Sequence, residues 1–418
     1  MCFSETDHYA YHQSFWEFYY RRAIQEKPID QFQEEIDMET VNILHMNTGD
    51  GESSYASNSL LQRCLELYGK ICLQERVIKK TLPILKHAIK DIANHDGVLG
   101  QCFKVADLGC SSSKNTLLVI SNIIDIVIEV SKANNTKVPQ LQVCLNDLIG
   151  NDFNYLFKLL PDFYAMLKKE KGDIFGNCFV SAIPGSFYDR LFPDKSLHLV
   201  HSSYSLHWLS QVPEGLENNQ LNIYIAKTSP PNVFQSYEKQ FHTDFAKFLQ
   251  MRSEEVVCGG CMVLIIVGRR NANPSNDDSC HIWELLAQSL VDMVQEGLVR
   301  ESDVKSFNVP IYYPCEGEVW NAIQYEGSFS LDNLNVFELN WDPNDAYNAY
   351  TNDITEPNQT HGENIAKVVR AFSEPLLIYH FGSSIIDELF KRYGNHVTRN
   401  MAKKKTRYFN LVISLTKK

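Results

Sequence analysis

The sequence predicts an α/β protein: a doubly wound, parallel sheet with a mainly helical cap. Three observations carry that expectation. Short apolar runs alternate with helical stretches from Leu44 onward, as strands covered on both faces do. The first of these runs ends in a turn of small residues, Gly109-Cys110-Ser111-Ser112. A long block, about 272–400, then breaks the rhythm before a last apolar run.

The elements follow in order. Residues 60–93 are rich in Leu, Ile, Lys and Glu at helical spacing, interrupted by Pro83. Phe103–Gly109 reads as a buried strand, and Thr116–Ile128 as the helix after it. Further strands are expected at Leu141–Leu148, Asn177–Ile183, Leu197–His201, Cys261–Val267 and Tyr408–Leu415. The block 272–400 holds helices such as His281–Gln295 and a polar loop over Asp342–Glu363. It is read, with the front segment 44–95, as a cap over the sheet's carboxyl edge; the sheet core then spans about 100–270 and 405–418. There are no internal repeats.

Composition narrows the function. The chain has 418 residues, a formal charge of −12, 44% hydrophobic and 22% charged residues. These are ordinary globular values, and an acidic chain lacks the basic footprint of a nucleic-acid binder. No apolar run reaches the ~18 residues of a membrane helix, and the opening has no secretory-signal pattern. Eleven cysteines, an odd and scattered set, fit reduced thiols in a cytoplasmic enzyme. Residues 1–37 stand apart, with nine aromatics and a charge of −5. They are read as an extension of doubtful standing, Met38 being an alternative start.

In such sheets ligands sit at the carboxyl ends of strands, near the switch in strand order. There is no GxGxxG and no GK[ST], so the phosphate fingerprints are missing. The first strand ends in Asp107 and small residues, which permit close approach of a ligand. The second ends at Asp147, whose carboxylate could accept both hydroxyls of a ribose or merely cap the next helix. The pair favours a nucleoside without a pyrophosphate, a description S-adenosylmethionine fits. The fourth runs into His201-Ser202-Ser203-Tyr204-Ser205-Leu206-His207-Trp208. Without a GxSxG elbow this is not a hydrolase triad; its bland reading is core packing. Cys258-Gly259-Gly260-Cys261 has redox spacing but no second pair or nearby His, so it reads as structural thiols.

Long blocks now match a family. HMNTGDGESSYASNS (45–59), ADLGCSSSKN (106–115), LNDLIGNDFN (145–154), PGSFYDRLFP (184–193), HSSYSLHWLSQVP (201–213) and SEEVVCGGCMVL (253–264) carry the match, with EPLLIYHFG (374–382) later. From Leu44 onward the chain resembles the plant salicylic acid, benzoic acid and theobromine (SABATH) methyltransferases. The resemblance implies a Rossmann-like class I methyltransferase that moves the S-adenosylmethionine methyl group to a small metabolite. It implies cofactor contacts at Tyr55, Cys110, Asn115, Asp147, Leu148, Ser186, Phe187 and Ser203, with Phe187 near the adenine and Asp107 near the methionine end. Gln62 and Trp208 occupy the positions that hold a substrate carboxylate in the family. Tyr55, Tyr204, His207, Ile282, Trp283, Val369, Phe372 and Tyr408 would line the rest of the pocket.

A carboxylate is ionised at pH 7, so its methylation needs in-line placement and desolvation rather than a general base. No acid or base is therefore assigned. The expected substrate is a small hydrophobic acid of jasmonate, benzoate or salicylate type. The alternative is N-methylation of a methylxanthine, for which His207 could place or deprotonate the ring nitrogen. Two departures from the family matter: Asn47, where a basic residue is usual, and Ser113-Lys114, where Gly-Pro is usual. If the turn required positive φ at Ser113, cofactor binding would suffer, and an inactive small-molecule-binding relative would be a further alternative. The resemblance also suggests a homodimer and a Mg²⁺ position at Asn219, Phe307 and Asn308, which Lys305 would weaken.

Overall fold

The computed structural model describes residues 46–48, 54–55, 73–95, 100–172, 178–274, 278–341, 359–403 and 406–418. In chain order these form α1 (Leu73–Asn94), β1 (Cys102–Leu108), α2 (Lys114–Ala133), β2 (Gln140–Asp147), α3 (Phe153–Lys171), β3 (Cys178–Pro184) and β4 (Leu197–Ser203). There follow α4 (Pro231–Glu255), β5 (Val256–Gly268), α5 (Asp278–Gln295), α6 (Glu301–Ser306), α7 (Glu316–Glu326), β6 (Phe329–Asn340), α8 (Gln359–Phe381), α9 (Ile386–Met401) and β7 (Arg407–Lys417). The expected extension 1–37 lies outside the described residues.

The strands form one sheet in the order β3-β2-β1-β4-β5-β7-β6. The first five are parallel, as their apolar runs and intervening helices predict. The other two depart from the all-parallel expectation: β7 runs antiparallel to both β5 and β6. The block 272–400 is thus not cap alone, because it contributes β6 to the sheet edge. The front segment is divided: Asn47 bonds Ala371 O and Glu374 of α8 in the cap. Its helix α1 packs on α2, β5 and β7, over one face of the sheet, rather than with the cap. Pro83 does not break α1; its ring lies on the exposed side, where a missing backbone donor costs least. The expected polar loop gives way to α8 from Gln359, residues 342–358 being outside the described set.

The period of two along each strand divides the interior. Phe103 and Val105 of β1, with Cys261, Val263 and Ile265 of β5, face a core shared with α1, α2 and α3. Ala106 and Leu108, with Met262, Leu264 and Ile266, face the opposite core, shared with α4 and the cap helices. The order reverses between β1 and β4, which both neighbour each other and run out at the same sheet edge. That edge holds the site.

Candidate active site

An open cavity lies beyond the carboxyl ends of β1 to β4. Each strand delivers its last or following residues to the wall: Gly109 and Ser111 after β1, Asp147 and Leu148 at the end of β2, Ser186 and Phe187 after β3, Ser203 and Tyr204 at the end of β4. The turn after β1 is tightly built. Gly109 has φ 76°, and a Cβ there would meet Ser205 Oγ at 2.0 Å, so only glycine fits. Ser111 carries the left-handed backbone, φ 54°. Its N–H donates to Asp147 Oδ2 at 2.7 Å, and Leu148 N–H to Asp147 Oδ1 at 2.8 Å. Asp147 is thereby aimed into the cavity.

Ser113 corrects the sequence expectation. Its φ is −101° and ψ 164°, an extended N-cap of α2 whose side chain accepts from Asn115 N–H. No glycine is needed there, and the argument for an inactive relative loses its basis. The second departure, Asn47, is also accommodated: its amide donates to Glu374 Oε2 at 2.5 Å. Asp107 does not reach the wall. It accepts from Thr116 Oγ1 at 2.5 Å and faces His201 Nδ1 at 2.7 Å, and so braces the turn from beneath.

Eight residues named from the sequence for the cofactor divide into two groups. Tyr55, Asp147, Leu148, Ser186, Phe187 and Ser203 line the cavity. Cys110 and Asn115 lie behind it. The Cys110 thiol bonds the Ser111 carbonyl, and burial, reinforced by Asp147 and Asp107, holds it far above the usual thiol range. It is neutral and no nucleophile. Both amide atoms of Asn115 are buried without a hydrogen-bond partner. Such orphaned groups are costly in a finished interior, and they suit a polar ligand at the start of α2. With Asp147 offering acceptor oxygens where a ribose would lie, the residues present fit S-adenosylmethionine.

The substrate side is different in chemistry. Trp208, Phe372, Leu376, Met46 and Tyr204 make an apolar, aromatic wall. The Trp208 backbone is pinned by Ser205 O, by the Tyr188 hydroxyl and by a bridge to Ile311. Its ring meets Phe372 edge-on at 6.1 Å, and Phe372 meets Trp283 at 6.1 Å. Tyr204, φ 57°, sends its hydroxyl to Asn410 Oδ1 at 2.6 Å. Trp283, Ile282, Val369, His207 and Tyr408 are not in the wall itself but in the layer behind it. Trp283 donates to the Tyr313 hydroxyl at 2.9 Å, and burial pushes the Tyr408 phenol up. Burial also pushes His207 down to about 3, so the ring stays neutral. Gln62 lies outside the described residues. Sequence reasoning did not single out Met46, Tyr188, Leu209, Ser210 and Leu376; only Leu376, four residues after Phe372 on one helix face, had a signal in its spacing.

The expected Mg²⁺ position does not fit a metal. Asn219 Nδ2 donates to Asn308 Oδ1 at 3.1 Å and to Tyr224 O at 3.2 Å, while Ser229 Oγ donates to Asn219 Oδ1 at 2.7 Å. Phe307 packs on His380 and Phe381. The set is neutral and satisfied within itself, with no carboxylate for a hard cation. Lys305 pairs instead with Glu301 at 2.6 Å. Among the described residues no group of three or more His, Cys, Asp or Glu could hold a metal ion.

A cavity at the switch of a doubly wound sheet, with a carboxylate at the end of β2 on one side and an apolar, aromatic wall on the other, fits a class I S-adenosylmethionine-dependent methyltransferase. The comparisons agree. The family described as SAM dependent carboxyl methyltransferase matches residues 41–418, and the chain belongs to that family. It is 46% identical to a Theobroma cacao protein described as probable jasmonic acid carboxyl methyltransferase 2, covering 91% of this chain and 100% of the relative. It is 44% identical to a Petunia hybrida benzoic acid/salicylic acid carboxyl methyltransferase 3, covering 91% and 99%. A solved loganic acid methyltransferase with SAH superposes with a TM-score of 0.73 at 29% identity, covering 89% and 98%.

Proposed function

We propose that the protein transfers the methyl group of S-adenosylmethionine to the carboxylate of a small hydrophobic acid of jasmonate, benzoate or salicylate type. The products are the methyl ester and S-adenosylhomocysteine. The observation that carries this reading is the substrate wall: Trp208, Phe372, Leu376 and Met46 offer apolar surface and one indole N–H, with no cation and no base among the described lining residues. When bound, the cofactor supplies an electrophilic methyl on a sulfonium. Asp147 would hold its ribose and Phe187 its adenine, with Tyr55, Ser186, Leu148 and Ser203 along the same half. Trp208, and Gln62 by the family resemblance, would orient the acid through neutral donors that leave its charge available for attack. The aromatic wall excludes water from that oxygen and so raises its reactivity.

A ring nitrogen would need a proton acceptor. His207, neutral and pushed down to about 3, is a poor one, which favours the acid over a methylxanthine. The described cysteines are free thiols, consistent with a cytoplasmic setting. No helix among the described residues is long and apolar enough to cross a membrane. A homodimer rests on the family resemblance alone, and sedimentation checks it. To test the function, the protein is incubated with methyl-labelled cofactor and a panel of jasmonate, benzoate, salicylate, anthranilate and methylxanthines. Labelled ester from an acid is the expected result; turnover of a xanthine alone would overturn the proposal.

A further inference from the structure

The loop after β3 carries Ser186, Phe187 and Tyr188 into the cavity wall. Within it, Asp189 N–H donates to Ser186 O at 3.0 Å, Tyr188 N–H to Ser186 Oγ at 3.2 Å and Arg190 Nε to Phe192 O at 2.9 Å; these bonds shape the turn without tying it to a helix. Its anchor comes from the end of α4. Arg252 Nη1 donates to the Phe187 carbonyl at 2.7 Å, and Nη2 to the Asp189 carbonyl at 2.8 Å. Glu255 Oε1 accepts from Leu191 N–H at 2.6 Å and Phe192 N–H at 2.9 Å. The two side chains also hold each other. Nη2 donates to Oε1 at 3.0 Å, and Nε lies 2.7 Å from Oε2, a charge contact without hydrogen-bond alignment. Both residues are 0% exposed. The guanidinium lies 5.4 Å over the Phe248 ring, which in turn meets Phe187 edge-on at 6.2 Å.

A buried ion pair is a weak source of stability, since well-packed apolar residues of the same volume often serve as well or better. What apolar residues cannot do is satisfy two carbonyls and two N–H groups of an irregular segment. Arginine supplies the planar fork that two neighbouring carbonyls require, and glutamate supplies the acceptors. The pair therefore fixes where Phe187 stands: it holds the residue's own carbonyl and, through Phe248, the back of its ring.

We propose that Arg252 and Glu255 are positioning residues for the cofactor, setting Phe187 at the adenine without touching cofactor or substrate. This rests on the assignment of Phe187 to the cofactor half of the cavity. Arg252→Lys keeps the charge but loses the fork. It is expected to weaken S-adenosylmethionine binding, read by calorimetry, by about tenfold, the loss of one charge-assisted hydrogen bond. The KM for the acid and kcat at saturating cofactor stay at the wild-type values. Glu255→Gln should weaken binding in the same direction by a smaller factor. The deciding measurement is a cycle with Phe187→Ala. If Arg252 acts through Phe187, Arg252→Lys costs little further affinity in the Phe187→Ala background. Affinity of Arg252→Lys within twofold of wild type, or the same loss in both backgrounds, would overturn the proposal. Should Arg252→Lys not accumulate as folded protein, Glu255→Gln is carried through the same cycle with the same two criteria. Wild-type protein that binds no cofactor would sink the assignment of the cavity as well, an outcome distinct from either.

Discussion

The two halves of the cavity are built by opposite means. The half proposed for the cofactor is made of strand ends and backbone. Ser111 and Leu148 N–H groups set Asp147, Gly109 leaves no room for a side chain, and a buried Arg252–Glu255 pair sets Phe187. The substrate half is made of side chains from distant segments, Met46, Trp208, Phe372 and Leu376, that meet through ring edges and apolar contact. Hydrogen-bonded backbone demands one ligand shape; packed side chains can change size while the fold stays. One scaffold can thus keep its methyl donor and vary its acceptor.

The largest effect should come from Asp147→Asn, which loses the charge that would hold the ribose. Cofactor affinity is expected to fall about 100-fold by calorimetry, while the KM for the acid holds. An equal change in both would erase the distinction between the halves. Trp208→Phe tests the other side. The KM for the acid should rise about tenfold, for the loss of one buried donor, with cofactor affinity unchanged. Between them lies Glu374, which accepts from Asn47 and from Arg370. It joins the segment carrying Met46 to the helix carrying Phe372 and Leu376. Glu374→Gln keeps an acceptor and should raise the acid's KM by only about threefold, less than one full hydrogen bond.

The smallest expected effect is of pH. With His207 pushed down to about 3 by burial and a substrate carboxyl near 4, kcat/KM should be level between about pH 6 and 8. A limb near 6.5 would mark a histidine base and reopen N-methylation. Stability should respond instead. Below about pH 6.5 the unfolded His207 takes a proton that the folded ring refuses, so its contribution is lost as pH falls toward about 3. His207→Gln should flatten that part of the melting-temperature profile.

Much of this was legible in the residues. The apolar runs placed β1, β2, β4 and β5 because strands buried on both faces have little polar content to blur them; β3, at the sheet edge, was legible only because CFVSAI is apolar despite its partial exposure. The same reasoning missed β6, FSLDNLNVFELN, an edge strand whose polar residues face water. It assigned α1 to the cap because amphipathic spacing shows which side of a helix is buried, not which surface covers it. Asp147, Phe187 and Trp208, which line the cavity, were legible as candidates because they lie at or after strand ends or within long family blocks. Ser111 was named in the turn after β1, but its left-handed backbone escaped because serine does not announce a positive φ as glycine would. Arg252 and Glu255 were quoted within or beside a matching block, but a buried ion pair looks like any surface pair until its burial is known.

The placement of β7 has a consequence for how the molecule comes into being. This strand, late in the chain, inserts between β5 and β6, both of which are synthesised earlier. While the chain emerges from the ribosome, β5 and β6 present unpaired edges with no neighbour yet available. The sheet can close only when the last strand arrives, so assembly waits on contacts of long sequence separation, which are slow to form. Tyr204 depends on the same event, since its partner Asn410 belongs to β7.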